Sequence, residues 1–169
     1  NGQLADLVIV VARTDPEAEP PHRGTSAFFV ERDSAGLKMG RKEDKMGLRA
    51  SDTMEVFFED CRVPAENRLG EEGQGFKVAM HALDSGRIGV GAQALGIAEA
   101  AFQEARRYAK ERQQFGHPLV HHQAIQNKLA DMATRIEAAR LLVNHAAWLK
   151  DQGKPYTRAA AQAKVFSSE

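Results

Sequence analysis

Arg112, Phe115 and Gly116 stand in an Arg-Gln-Gln-Phe-Gly segment, and Gln123 follows eleven positions after the arginine. Arg112 falls where a helical pattern ends, a place where the helix dipole favours a cation. Phe115 reads by itself as a core aromatic, and Gln123 as a surface residue opening a helix. His121 and His122 precede Gln123. They lack the carboxylate or third histidine that a zinc site needs. A second polar group is Asp84-Ser85-Gly86-Arg87. Asp84 and Arg87 are three apart, so on a helix they can pair, which on a surface is worth a few tenths of a kcal/mol. Arg87 follows a run of apolar face positions, so its side chain is expected to point inward, where a charge needs a partner or a task. Gly73-Gln74-Gly75 meets neither nucleotide-binding fingerprint. Ser51 and Thr53 read as turn chemistry. Thr157 reads as a helix cap.

The elements that must position these residues change character along the chain. The first 68 residues read as β. Leu7 to Val11 is a β-branched run of the kind found in buried strands. Asp15 to Gly24 holds Pro16, Pro20 and Pro21 and reads as a loop. Thr25 to Glu31 and Thr53 to Phe58 read as strands, whereas Leu37 to Arg49 is mixed and basic. Strands at short spacing predict part of a sandwich or barrel, with further strands needed to cover its edges.

From position 69 the pattern turns helical. Phe76, Met80, Leu83 and Arg87 fall at helical spacing, and the pattern continues through Leu95 and Phe102 to Tyr108. Gly116 and Pro118 break it. Ile125, Leu129, Met132, Ile136, Ala139, Val143 and Ala147 then share one face of a second helix. Gly153 and Pro155 close that helix, and a third begins near Thr157. The first two helices are each about 30 residues, hence about 45 Å long. Long alanine-rich helices joined by short turns predict an antiparallel bundle. The expected fold is therefore α+β by segments, with residues 1–68 in the β part and 69–169 in the helical part.

Composition narrows the function classes. Apolar residues make up 43% and charged residues 27%, an ordinary globular balance. Formal net charge is zero, so no bulk field favours nucleic acid or an anionic membrane, and an anion site would have to be built locally. The single cysteine, Cys61, forms neither an internal disulfide nor a multi-cysteine metal site. It fits a reducing compartment. No apolar run is long enough to span a bilayer. Asn1-Gly2 opens on a turn signal without an initiating Met, and the final helical pattern has no stop signal, so both ends read as cuts through a larger protein.

Six segments in order carry a resemblance. They are Lys45-Met46-Gly47-Leu48-Arg49-Ala50-Ser51-Asp52-Thr53, Val63-Pro64-Ala65-Glu66-Asn67, Gly73-Gln74-Gly75-Phe76, Leu83-Asp84-Ser85-Gly86-Arg87, Arg112-Gln113-Gln114-Phe115-Gly116 and Gln123-Ala124-Ile125-Gln126. The series resembles the acyl-CoA dehydrogenase family along essentially the whole chain, and its short-chain and bacterial members most. The resemblance implies the second half of a middle β-domain followed by most of a C-terminal four-helix bundle. It implies FAD as cofactor, α,β-desaturation of an acyl-CoA thioester, a homodimer or homotetramer, and an electron-transferring flavoprotein as acceptor. A bacterial cytoplasm or a mitochondrial matrix would be the compartment.

The same resemblance assigns roles. Arg112 would bind the FAD of a neighbouring subunit, its planar fork suiting a pyrophosphate. Phe115 would pack beside the cofactor, and His122 and Gln123 would touch it. Asp84, Ser85, Gly86 and Arg87 would line the acyl-CoA site, and Thr157 matches a position that touches the CoA nucleotide in some relatives. One branch of the family places its catalytic Glu where this chain has Gly86, which offers no base. The other branch places it in a Glu-Gly-Thr segment, expected beyond Glu169, so no catalytic base is expected in residues 1–169. A Trp-Ile-Thr type segment over the flavin is likewise expected before Asn1, and a Gly-rich segment contacting the partner's FAD after Glu169. Two alternatives share the architecture: an acyl-CoA oxidase-like enzyme passing electrons to oxygen, and a non-catalytic relative that has lost the base.

Overall fold

The computed structural model describes all 169 residues, in two compact units, Asn1–His81 and Ala82–Glu169. In the first, β1 (Leu7–Arg13) pairs antiparallel with β2 (Thr25–Glu31), from Leu7 opposite Glu31 to Arg13 opposite Thr25. The short β5 (Arg68–Leu69) adds to the far side of β2. β3 (Leu37–Lys42) and β4 (Met54–Phe58) form a separate antiparallel pair with a register shift between Met39 and Lys42.

Two β-expectations need correction. The mixed stretch after Leu37 contains β3, whose pattern is blurred because Gly40 sits inside it and Phe57 and Glu55 crowd that glycine. The run from Leu7 is not buried on both faces. Leu7, Ile9 and Val11 are exposed while Val8, Val10 and Ala12 are shielded, because strand geometry sends alternate side chains to opposite faces. The core of this sheet lies instead under β2, at Ala27 and Val30.

Ser26 and Thr25 of β2 carry the start of the first long helix. α1 runs from Gly75 to Glu111. The first N–H groups of a helix have no intrahelical acceptor. Here Thr25 Oγ1 accepts from the Phe76 N–H at 3.1 Å, and Ser26 Oγ accepts from the Gly73 N–H at 3.0 Å. Ser26 Oγ also lies 2.8 Å from Thr14 Oγ1, and Ser26 is fully buried. The approach is close enough that a Cβ at Gly75 would stand 2.7 Å from the Ser26 carbonyl carbon.

In the second unit, α1 ends at a two-stranded hairpin, β6 (Gln113–Gln114) and β7 (His117–Pro118). α2 (Gln123–Asp151) follows, then α3 (Thr157–Ser168). The anticipated face of α2 is the one that packs: Ile136, Ala139 and Val143 are buried, joined by Ala146. Val143, Ala146 and Ala163 of α3 form the core, with Ile88 of α1 and Leu142 and Ala159 against it. Small residues dominate, so the backbones come close. A Cβ at Gly91 would meet Val143 Cγ2 at 3.3 Å and the Ala163 carbonyl oxygen at 3.5 Å. Arg140 of α2 adds a polar clamp, pairing with Glu99 of α1 and Glu137 of its own helix.

A candidate cofactor and substrate site

The first cluster is built by the hairpin between α1 and α2. Its two tip residues, Phe115 and Gly116, have φ of 54° and 78°. Two consecutive left-handed residues are what a two-residue hairpin turn demands, and glycine accepts this far more readily than phenylalanine. The Leu119 N–H donates to the Arg112 carbonyl at 2.8 Å and closes the loop, so the chain reverses immediately after the arginine. A short helical turn at Leu119–His121 then feeds α2.

This geometry gathers the four sequence candidates for cofactor contact. Arg112 follows the last residue of α1 and is exposed, and Gln123 is the first residue of α2. His122 occupies the position that precedes α2 but does not cap it with its side chain. Its Nε2 lies 3.1 Å from the Gln114 carbonyl oxygen, which can only accept, so that nitrogen is the donor. The Phe115 ring meets the His122 ring edge-to-face with centroids 6.0 Å apart. Phe115 is 90% exposed, which excludes the alternative of a core aromatic. A fully exposed phenylalanine held at positive φ is an unfavourable surface residue without something to cover it.

The second cluster lies on α1. Asp84 Oδ1 accepts from the Arg87 guanidinium, as the three-residue spacing predicts. Asp84 Oδ2 accepts from Thr157 Oγ1 at 2.5 Å. Ser85 Oγ lies 3.0 Å from the Tyr156 hydroxyl. The Arg87 side chain is 37% exposed and that of Asp84 14%, so the inward-pointing arginine of the sequence reading is corrected: the carboxylate is the sheltered partner. Gly86 is exposed, and a Cβ there would meet nothing within 4 Å. Thr157 does not cap α3. Tyr156 takes the capping position without a side-chain bond, and the threonine hydroxyl is spent on Asp84. Tyr156 is absent from the sequence candidates, because no local pattern links it to Ser85, 71 residues earlier.

No group of three or more His, Cys, Asp or Glu side chains gathers at metal-binding geometry, and no helix is long and apolar enough to cross a membrane. What the two clusters supply is an exposed guanidinium, amide and imidazole groups and an aromatic face on one hairpin, and a carboxylate, hydroxyls and a second guanidinium on one helix face.

A short sheet unit leads into long helices, with an arginine-bearing hairpin between the first two, the order of parts in the acyl-CoA dehydrogenase fold. Residues 1–61 match the middle domain of acyl-CoA dehydrogenases and residues 73–169 their C-terminal domain, and the chain belongs to the acyl-CoA dehydrogenase family. It is 56% identical over all 169 residues to a short-chain specific acyl-CoA dehydrogenase of Megasphaera elsdenii, covering 44% of that protein. It superposes on the butyryl-CoA dehydrogenase structure from the same organism with a TM-score of 0.94 over 99% of this chain and 43% of that one. It is also 51% identical over 168 residues to an acryloyl-CoA reductase (NADH) of Anaerotignum propionicum, 99% of this chain and 42% of the relative. The chain thus spans less than half the length of the curated relatives it matches.

Proposed function

We propose that the gene product carrying this chain catalyses FAD-dependent α,β-dehydrogenation of a short acyl-CoA thioester. The observation that carries this reading is the hairpin that brings Arg112, Phe115, His122 and Gln123 together, in a chain matched to short-chain members of the family along its whole length. The donor set fits FAD. A guanidinium grips a pyrophosphate through paired charge-assisted hydrogen bonds, and the exposed Phe115 ring offers an apolar face to a flat ring system. Bound FAD would supply the hydride acceptor for the substrate's β-carbon.

The chain's own residues then hold and orient. Arg112, His122 and Gln123 bind the cofactor, with Arg112 serving the FAD of a neighbouring subunit, so a homodimer or homotetramer completes the site. Asp84 to Arg87 line the acyl-CoA site. Asp84 is a poor general base, since Arg87 and Thr157 already engage both its oxygens. Gly86 has no side chain to offer. The α-proton is therefore assigned to a carboxylate outside residues 1–169, and an electron-transferring flavoprotein is the proposed oxidant of the reduced enzyme.

Substituting Arg112→Ala in the full-length gene product should strip FAD during gel filtration, and Arg112→Lys should rescue only in part, because lysine lacks the fork. Full FAD occupancy and normal turnover in Arg112→Ala would overturn the assignment. A second reading rests on the 51% identity to an acryloyl-CoA reductase: the same site would run the reaction in the reductive direction. Turnover of butyryl-CoA with a dye acceptor supports the first reading, turnover of acryloyl-CoA with a reductant the second, and peroxide release without an acceptor an oxidase.

A further inference from the structure

Two consecutive residues at the start of α3 hold two consecutive residues of α1. Tyr156 OH lies 3.0 Å from Ser85 Oγ, and Thr157 Oγ1 donates to Asp84 Oδ2 at 2.5 Å. We infer that Tyr156 and Thr157 form a positioning clip that sets the acyl-CoA-binding segment Asp84–Arg87. This rests on the assignment of that segment to the substrate.

The physical argument begins with Asp84. Its carboxylate has two partners, the Arg87 guanidinium on Oδ1 and the Thr157 hydroxyl on Oδ2. An aspartate held only by a flexible arginine can turn about both its side-chain torsions. A second bond, from a residue at the first turn of another helix, leaves one orientation. Fixing Asp84 fixes Arg87, whose side chain remains partly open to solvent and able to take a ligand. Ser85 would otherwise be free to bond back to its own helix, the usual habit of a mid-helix serine. The Tyr156 hydroxyl claims it instead.

The clip's own placement is determined by the turn before it. Gly153, at φ 63°, ends α2, and the Lys154 N–H donates to the Leu149 carbonyl at 2.9 Å. The Lys154 ammonium sits 4.5 Å from the Trp148 ring centroid. The Ala160 N–H donates to the Tyr156 carbonyl at 2.8 Å, so Tyr156 is anchored by its backbone to α3 while its side chain reaches α1. Nothing in this arrangement requires a tyrosine hydroxyl for packing. Phenylalanine would fill the same space and lose only the bond to Ser85.

The test is a double-mutant cycle in the full-length holoenzyme. It reads the dissociation constant of a non-reactive thioether analogue of butyryl-CoA, alongside KM, kcat, flavin content and Tm. Tyr156→Phe and Ser85→Ala should each weaken analogue binding about fivefold, the worth of one ordinary hydrogen bond. The double variant should also be about fivefold weaker, because one bond cannot be lost twice. Thr157→Val should weaken binding similarly and Thr157→Ser should restore it, with KM rising more than kcat falls and flavin content unchanged. Unchanged binding in Tyr156→Phe and Thr157→Val, or multiplying effects in the cycle, overturns the clip. Asp84→Asn separates the two layers. If it weakens binding while the clip variants do not, the substrate assignment stands and the clip falls. If it too is silent, both fall.

Discussion

At the scale of single residues, the buried hydroxyl of Ser26 does more than its neighbours of similar size. It bonds Thr14 Oγ1 and the Gly73 N–H, at zero exposure. Removing one member of a buried pair leaves the other with its full desolvation penalty, about 1–3 kcal/mol. Ser26→Ala should therefore lower the free energy of unfolding by about that amount, read by urea denaturation with an unchanged m-value. Ser26→Cys should not rescue, since a thiol is a weak acceptor. Thr25→Val removes the acceptor for the Phe76 N–H from an exposed site, where water replaces it, and should cost less. A larger loss at Thr25 than at Ser26 would show that the end of α1, and not the buried pair, governs this unit.

At the scale of elements, the helical packing depends on a missing side chain. Gly91 lies where α1 faces Val143 and the Ala163 backbone, and a Cβ would already be tight there. Gly96, on the same helix, has nothing within 4 Å of its own notional Cβ. Gly91→Val should destabilise by about 1–3 kcal/mol through overpacking. Gly96→Ala should stabilise by about 1 kcal/mol, because alanine loses less backbone entropy in a helix. Thermal melting of both variants checks the pair of signs, and a stabilised Gly91→Val would mean that the three helices do not pack as described.

Much of this level was readable in advance. The 3.6-residue spacing of Ile136, Ala139 and Val143 and the Gly153-Pro155 stop marked α2, and Thr25 to Glu31 was bounded correctly by its neighbouring loop and turn. β3 was not readable, because Gly40 and the basic residues Lys38, Arg41 and Lys42 hide a strand whose partner lies beyond a long connection. The polar clusters divided in the same way. Arg112 through Gln123 are close in sequence, and the family resemblance grouped them although the β6–β7 hairpin itself had no local signal. The bonds from Tyr156 and Thr157 to α1 span more than seventy residues, and no local signal carries them. A core place for Phe115, the alternative to a cofactor contact, is excluded only by the structure, because composition cannot tell that a hairpin tip with positive φ holds it in the open.

At the scale of the whole molecule, equal numbers of acidic and basic residues leave a formal charge of zero, so stability against pH is set by particular pairs and not by net repulsion. Asp52 is buried, and its hydrogen bond and ion pair with Lys42 hold its carboxyl below the ordinary value of 3.8. Glu104, bonded by Arg107, is held below 4.5. On the basic side, Arg107 and Arg140 are pushed further up by Glu104 and Glu99, away from any pH at which they would lose charge. Each depressed carboxylate binds a proton more weakly folded than unfolded. Its contribution is therefore complete above the unfolded value and disappears as pH falls through the lowered folded value. The expected profile has no alkaline loss from these pairs between neutrality and pH 9, and an acid limb that begins near pH 4.5 and steepens below 3.8. Lys42→Met removes the first cause of the Asp52 shift, leaving that buried carboxyl to be raised by desolvation. Its Tm should fall relative to wild type at pH 7, and the gap should narrow as pH falls through the lowered folded value of Asp52. A difference that stays constant from pH 7 to pH 2 would show that Lys42 acts through packing of its aliphatic stem and not through the charge on Asp52.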